Sequence, residues 1–331
     1  MNLVPDNIKA IYPEQIKPED IRKKLLEILG VKEIPEEFEY TIESTQEIEE
    51  ILIYHITYYN LLGETVLAIL CIPKHAEKVN LAGIICLPGT GGSAELISHT
   101  RFYRDNPYAG PLIGWARELT RRGFATLSIS VWGCKDRQAK SGFDPQLQTR
   151  FLAPYGLTGI GIGVEETLMG ARILTRFLSV DLCNIGVTGF SLGGSMSWYS
   201  MACCPLLGTA VTLCGGLGSM NEIIRKAVSC DGDPERHGPY FYIPHLLRYF
   251  DHADIVKACI FPRPFMMIGT AYDEDMPESG VNRLVQEVSP LYEGADISEK
   301  FKVYQPEGNH VYLYEYFEYM YQWFKHYLID K

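Results

Sequence analysis

A short glycine-rich stretch at residues 189–193 constrains the fold more than any other part of the sequence. It reads Gly-Phe-Ser-Leu-Gly, with Ser191 at its centre. The apolar run 185–188 before it predicts a buried strand, and a helix is predicted to begin at about Leu192. A serine at such a junction is lifted clear of the sheet, where a base can activate its hydroxyl. The pattern therefore predicts a nucleophilic serine at the carboxyl edge of an α/β sheet.

The motif alone is short enough to arise by chance, and the alternative is an ordinary glycine turn between a strand and a helix. The order of elements around it favours the nucleophile. After Asn80, apolar strands alternate with helical patterns, which predicts a mostly parallel central sheet with helices on both faces. Between Phe38 and Pro73, alternating apolar and polar residues predict an antiparallel N-terminal edge. The predicted fold class is therefore α/β.

Six strands are expected in the parallel part, at residues 82–87, 125–130, 185–188, 210–214, 265–268 and 301–304. Five helices accompany them, around residues 112–122, 158–178, 192–202, 280–292 and 311–327. An amphipathic helix from Pro18 to Leu29 indicates an N-terminal helical extension over residues 1–37, followed by one α/β domain over residues 38–331. Two long connections, 132–157 and 215–258, follow predicted strands and are expected to form the walls of a ligand pocket.

A nucleophilic serine needs a base, and histidine is the usual one because its charge changes near neutral pH. His310 lies in the most suitable position, on the loop between the last predicted strand and the last helix. The acid that orients this histidine should follow the preceding strand, where Asp273, Glu274 and Asp275 are adjacent. We favour Asp273, with Asp275 second. The alternative is that these carboxylates only form a solvated loop that caps the next helix.

The same chemistry needs two amide donors for a negatively charged oxygen. The amide of Leu192, at the start of the predicted helix, is one candidate. The other is Thr90, in the Pro-Gly-Thr-Gly-Gly-Ser loop at residues 88–93. That loop lacks the Lys-Ser/Thr ending of a phosphate-binding loop. The glycines at residues 159–163 do not follow a strand, so they do not match a dinucleotide-binding fingerprint.

Charge and cysteine usage limit the partners. The formal net charge is −11 and no run is rich in lysine or arginine, which argues against nucleic acid or an anionic membrane surface as the main partner. The apolar run 51–59 is too short for a membrane span, and it does not have the pattern of a signal peptide. Nine scattered cysteines are typical of a reduced, cytoplasmic protein. The acidic and histidine residues between 231 and 252 lack the spacing of a metal site, so no metal is expected.

Three longer segments carry a family resemblance. They are residues 115–127, 181–194 and 262–269, and the second contains the glycine-flanked serine. Together with the ordered serine, aspartate and histidine, they resemble the dienelactone hydrolase and acetyl xylan esterase branch of the α/β-hydrolase superfamily, over roughly residues 50–328. The resemblance implies that these three side chains form a catalytic triad, and that the chain acts on esters without a cofactor.

Two loops depart from that family. Pro88-Gly89 stands in place of the usual His-Gly of the oxyanion loop, and Ser-Val-Trp-Gly at residues 130–133 replaces Asp-x-Arg-Gly. The second change removes charge and introduces Trp132, which we expect to face the pocket. We expect Trp132, Phe190 and Tyr240 to bind an aromatic or apolar substrate.

The sequence thus predicts a serine hydrolase that cleaves a small or medium carboxylic ester through an acyl-enzyme. Alternatives on the same fold are peptide or thioester cleavage, biosynthetic cyclisation or C–C cleavage, and ligand binding without catalysis. The expected partner is a small-molecule substrate, with no nucleic acid and no membrane. The N-terminal extension could either form a homodimer contact or pack on its own domain.

Overall fold

A sheet of nine strands forms the centre of the computed structural model, which describes residues 16–74, 81–99, 101–104, 111–134, 137, 145–178, 180–229 and 238–330. The strands are β1 Tyr40–Ile48, β2 Ile51–Tyr59, β3 Thr65–Pro73, β4 Gly83–Leu87, β5 Ala125–Ile129, β6 Ile185–Phe190, β7 Thr209–Leu213, β8 Phe265–Ile268 and β9 Phe301–Tyr304. The α-helices in these residues are α1 Pro18–Leu29, α2 Ala94–Ser98, α3 Trp115–Arg121, α4 Pro145–Leu152, α5 Gly159–Leu178, α6 Leu192–Cys203, α7 Met220–Ser229, α8 Leu246–Tyr249, α9 His252–Ile255, α10 Glu278–Gly294 and α11 Tyr314–Phe324.

The order of the strands creates the place where a ligand can bind. From one edge to the other the order is β1-β2-β3-β5-β4-β6-β7-β8-β9. Strands β4 to β9 run parallel to one another, whereas β1, β2 and β3 form the antiparallel edge. The chain passes from β4 to β5 on one side and then to β6 on the other side of β4. Loops after β4 and β6 therefore diverge at the switch point where open α/β sheets bind ligands.

The central strands are apolar on both faces because helices cover both faces of the sheet. Every residue of β4, β5, β6 and β7 is buried. Along β4 the side chains alternate between two cores: Ile85 and Leu87 belong to one, and Ile84 and Cys86 to the other. In contrast, β1 is almost entirely exposed and polar, as suits a strand at a sheet edge.

The N-terminal helix α1 packs on the domain that follows it. Its buried residues are Ile21, Leu25 and Leu29. The guanidinium of Arg22 donates to the carbonyl oxygens of Ala202, in α6, and Cys259. These contacts show that the helix covers part of the core of its own chain.

The fold class predicted from the sequence is confirmed, and the predicted bounds of α1, β8 and β9 match the structure. The two long connections contain helices that the sequence pattern does not predict. Helix α4 lies in residues 132–157, and α7, α8 and α9 lie in residues 215–258. Proline, glycine and charged residues interrupt the helical periodicity there, so short helices give little sequence signal.

Part of the acidic and histidine group between residues 231 and 252 has a clear structural role. The carboxylate of Asp251 accepts hydrogen bonds from Ser219 Oγ, Met220 N and His252 N at 2.7–2.8 Å. It thereby joins the starts of α7 and α9. Residues 231, 233 and 237 of that group lie outside the described residues.

Two further sequence expectations bear on the chain as a whole. None of the described helices is both long and apolar enough to cross a bilayer. Within the described chain no two cysteines are joined by a disulfide, and most of their side chains are buried. Burial raises the pKa of the Cys71 thiol to about 12.

Candidate active site

The turn after β6 holds Ser191 in a strained backbone conformation. Its φ is 56° and its ψ is −121°, a combination that residues with a side chain rarely adopt. The flanking glycines are required by close packing. A Cβ on Gly193 would collide with the carbonyl oxygen of Leu87, and a Cβ on Gly189 would collide with Gly193. Ser191 N donates to Leu213 O at 2.9 Å, so the turn is also tied to β7.

His310 lies on the loop between β9 and α11 and faces the loop that follows β8. Its Nδ1 lies 3.0 and 3.1 Å from the two carboxylate oxygens of Asp273. The Asp273 side chain is fully buried, whereas the imidazole is one-third exposed. Asp275, the second candidate, has an oxygen 3.7 Å from Nδ1 and a side chain 22% exposed. Distance and burial both favour Asp273 as the partner of the histidine.

Hydrogen bonds between the two loops fix this pair. Thr270 Oγ1 donates to Asn309 O at 2.8 Å, directly before His310. Tyr272 N donates to Gly308 O at 3.0 Å. Because both loops continue from neighbouring parallel strands, their positions depend on the rigid sheet as well as on these bonds.

The surroundings of His310 raise its pKa above the ordinary value. Partial burial alone would lower the pKa, because burial disfavours the charged ring. The hydrogen bond and negative charge of Asp273 outweigh that effect, with further contributions from the charges of Asp275 and Glu274. The ring therefore binds a proton more strongly than a histidine in water, as suits a group that takes a proton and returns it.

The aromatic side chain of Phe190, next to Ser191 in the motif, packs between two rings. Its ring centroid lies 4.9 Å from that of His310 and 5.7 Å from that of Tyr312. Phe190 and Tyr312 are both buried. Their stack supports one face of the imidazole and so restrains its orientation.

A cavity of about 640 Å³ is lined by both Ser191 and His310. The rest of its described lining comes from residues 88–92, 96–97, 111–113 and 115, and from the rings of Phe190 and Tyr312. Apart from Ser191, His310 and Thr90, these side chains are apolar or aromatic, and the charged groups of Asp273 and Asp275 are not part of the lining. The cavity therefore suits an uncharged, apolar group next to the serine.

Two backbone amides near Ser191 are candidates for the oxyanion donors. The amide of Leu192 is in the first turn of α6, where helix geometry leaves amides without an intrahelical acceptor. Thr90 lies on the loop after β4. Strands β4 and β6 pair up to Leu87 and Gly189, so that loop and the turn at Ser191 begin side by side. In the described part of the chain, no backbone oxygen accepts from the amide of either Leu192 or Thr90.

The three predicted substrate-binding residues differ in where they lie relative to the cavity. Phe190 is part of its lining, but the described lining includes neither Trp132 nor Tyr240. Trp132 is buried, and its ring meets that of Tyr240 edge to face at 6.0 Å. The Tyr240 hydroxyl lies 3.1 Å from Thr90 Oγ1. Trp132 thus lies behind Tyr240, and Tyr240 contacts the loop that carries a candidate donor.

Known proteins share this arrangement of strands and helices. No protein-family model matches the sequence. A Bacillus subtilis (strain 168) protein described as the putative hydrolase YtaP is 26% identical over 222 residues, which are 66% of this chain and 68% of that protein.

Two solved structures extend the comparison. One is a putative acetyl xylan esterase from Bacteroides fragilis NCTC 9343, with a TM-score of 0.68 and 17% identity over 87% of this chain and 74% of the other. The second is a glucuronoyl esterase from Solibacter usitatus, with a TM-score of 0.66 and 12% identity over 92% and 91% of the two chains. This chain has the α/β-hydrolase fold.

One residue near the histidine could not be recognised as a site residue from the sequence. Cys214 directly follows β7, and its Sγ lies within 4.8 Å of side-chain ligand atoms of Asp273 and His310. Burial raises the pKa of this thiol, and so does the negative charge of Asp273, so the thiol stays protonated. In the sequence, Cys214 is a cysteine that follows an apolar strand. Structural cysteines share this setting, so the position after the strand does not identify it as a site residue.

Proposed function

We propose that this α/β-hydrolase is a serine-dependent carboxylic ester hydrolase in which Ser191 is the nucleophile, His310 the base and Asp273 the acid. One observation carries the proposal. Ser191 and His310 line the same cavity, and the buried carboxylate of Asp273 holds Nδ1 of His310. The relatives named as esterases and hydrolases share the fold, and they support this class of reaction.

In the first half of the reaction, Ser191 Oγ attacks the acyl carbon of the ester while Nε2 of His310 takes its proton. The carbonyl oxygen becomes negatively charged and accepts hydrogen bonds from the amides of Leu192 and Thr90. The C–O bond of the ester then breaks. His310 returns the proton to the departing alcohol, which leaves an acyl group on the serine.

In the second half, water attacks the acyl-enzyme and His310 takes a proton from the water. The bond to Ser191 Oγ breaks, the serine recovers its proton, and the carboxylic acid leaves. Throughout, the Asp273 carboxylate holds the Nδ1–H of the ring and stabilises the imidazolium that forms in each half.

The cavity favours an ester with an apolar acyl or alcohol part of small or medium size. Its volume of about 640 Å³ is within the range of ordinary small-molecule sites. Burial of each additional CH₂ group contributes about 0.8 kcal/mol, or about a fourfold gain in affinity, until the cavity is filled.

A stopped-flow experiment with p-nitrophenyl esters from acetate to decanoate tests both parts of the proposal. We expect a burst of about one nitrophenolate per protein molecule where deacylation is slow. We also expect kcat/KM to rise with acyl length and then fall as the chain exceeds the cavity. No turnover of any ester by the folded protein would contradict the hydrolase proposal. A flat length series with clear turnover would contradict only the apolar acyl specificity.

A further inference from the structure

A single side-chain hydrogen bond joins two distant parts of the chain above the candidate site. The Tyr240 hydroxyl lies 3.1 Å from Thr90 Oγ1, although the two residues are 150 positions apart in sequence. Tyr240 belongs to the long connection 215–258, and Thr90 lies in the loop after β4. This contact therefore fixes the loop from outside the sheet.

The loop at residues 88–93 has little else to fix Thr90. Three of its six residues are glycines, and Gly91 has a φ of 72°. Glycines have the largest conformational freedom of any residue, so such a loop has many alternatives to one geometry. Within the loop, Gly92 N donates to Gly89 O, a bond that closes the turn but does not involve Thr90. Both Thr90 and Gly91 are exposed.

Tyr240 itself is held firmly from behind. Its ring meets the buried ring of Trp132 edge to face, with an angle of 82° between the planes. At the start of α5, a Cβ on Gly159 would collide with the Trp132 ring and lie 2.9 Å from Tyr240 Cβ. The helix start, the indole and the phenol are thus in close contact. Burial also raises the pKa of Tyr240, so its hydroxyl remains protonated at neutral pH.

We propose that Tyr240 is a positioning residue for the oxyanion hole, resting on the proposed function: its hydroxyl holds the Thr90 side chain so that the Thr90 amide faces the developing oxyanion. Tyr240 acts through Thr90 and does not touch the reacting atoms. The support comes from Trp132 and from the start of α5, which link the donor loop to a rigid helix.

This role has a kinetic signature. An oxyanion donor interacts most strongly with the transition state, so a misplaced donor lowers kcat and kcat/KM together and leaves KM nearly unchanged. Removal of an entire donor costs about 10²- to 10³-fold in rate. Loss of the tether only loosens the donor, so a smaller factor of about fivefold to tenfold is expected, as for one neutral hydrogen bond.

The test compares Tyr240→Phe, Thr90→Val and the double variant in ester hydrolysis. Each single variant removes one end of the same hydrogen bond but keeps the backbone amide, and Tyr240→Phe also keeps the ring against Trp132. We expect kcat to fall about fivefold to tenfold in each single variant and no further in the double variant, because both changes remove one interaction. Thr90→Ser keeps the hydroxyl and should retain most of the activity.

Tyr242→Phe is the matched control, because it removes a phenol hydroxyl from the same segment. It should leave kcat and KM near the wild-type values. Full multiplication of the two single effects in the double variant would overturn the proposal. So would a rise in KM with unchanged kcat in Tyr240→Phe, which would make Tyr240 a substrate-binding residue. Thermal unfolding of each variant excludes misfolding, and Thr90→Val tests the bond if Tyr240→Phe is unstable.

The outcome separates this inference from the proposed function. If wild-type hydrolysis depends on Ser191 and the Tyr240 and Thr90 variants match the wild type, only the positioning role is wrong. If wild type and Ser191→Ala are equally inactive, the proposed function is wrong and the positioning role is wrong with it. Binding of phenylboronic acid, which forms a tetrahedral adduct with an activated serine, should weaken by the same factor as kcat/KM in Tyr240→Phe.

Discussion

Two parts of the candidate site are held in place by different contacts. The strand-end side consists of Ser191, Asp273 and His310, and the loop side is the loop that carries Thr90. The first three residues directly follow strand ends or lie on loops bonded to each other, and Asp273 is fully buried. Thr90 is exposed on a glycine-rich loop, and a phenol from a distant segment contacts its side chain.

The comparison suggests that the proposed reactive groups and the proposed oxyanion donor are positioned by different structural means. Strands in a parallel sheet are fixed along their whole length, so residues at their ends have defined positions. A glycine-rich loop has few side chains to pack, so it depends more on contacts from elsewhere in the chain. Substitutions on the strand-end side should therefore lower kcat by several orders of magnitude, whereas substitutions on the loop side should lower it by smaller factors.

The largest effect is expected from Ser191→Ala. Loss of the nucleophile should lower kcat by about 10⁶-fold, as in a serine protease whose triad acts as a unit. The fold should persist, because the Ser191 hydroxyl is not needed to pack the core. Steady-state ester hydrolysis measures the effect, and Ser298→Ala, on an exposed turn before β9, is the control. Retention of more than a tenth of the activity in Ser191→Ala would contradict the account.

Asp273→Asn should have the next largest effect. An amide in place of the carboxylate no longer stabilises the imidazolium and favours the wrong tautomer of His310, so kcat should fall about 10³- to 10⁴-fold. Asp275→Asn, whose carboxylate lies farther from Nδ1, should keep most of the wild-type kcat. Equal losses in the two variants, measured by the same assay, would mean that Asp273 is not the specific partner.

A smaller effect is expected on the loop side from Gly159→Ala. The new methyl group would collide with Trp132 and crowd Tyr240, so it should displace the tether and destabilise the fold by about 1–3 kcal/mol. Urea unfolding and kcat should both report this change, with a loss in kcat close to that of Tyr240→Phe. Gly294→Ala, in a helix where a methyl group meets nothing within 4 Å, is the control. If Gly159→Ala has the same kcat as the wild type, the proposed support of the loop by α5 is wrong.

The smallest effect is expected in the pH dependence. The wild-type kcat/KM should rise with pH through a pKa above about 6.5, because His310 must be neutral to act as base and its pKa is raised. The charge of Asp275 stabilises the protonated ring and so contributes to the raised pKa of His310. Asp275→Asn should therefore move the rising limb toward lower pH. Asp181→Asn, before the short turn that leads into β6 at the end remote from Ser191, should not move it. A shift to higher pH in Asp275→Asn would contradict the electrostatic effect.

The strand-end side could be predicted from the sequence because its signals are local. Ser191 lies in a five-residue motif at a strand–turn–helix junction, and His310 lies between the last strand and the last helix. The choice between Asp273 and Asp275 was less certain, because it depends on how a short loop folds. In the structure the Asp275 amide donates to Asp273 Oδ1 at 2.9 Å, a turn that places Asp273 inward.

The loop side could not be predicted in the same detail, because its contacts join residues that are far apart in sequence. The aromatic residues Trp132 and Tyr240 were expected to bind substrate, but sequence alone does not distinguish a ring that lines a cavity from one that supports a loop. The described cavity lining at residues 111–115 was likewise missed. It belongs to the connection after β4, whereas the sequence pattern predicted pocket walls at 132–157 and 215–258.

The central claim, that Ser191 is an activated nucleophile, is tested most directly by reaction with a fluorophosphonate followed by peptide mapping. The account predicts covalent labelling of the wild-type protein at Ser191 alone, with no labelling of Ser191→Ala and strongly reduced labelling of Asp273→Asn. Absence of labelling in a folded wild-type sample, or equal labelling of Ser191→Ala, would contradict it.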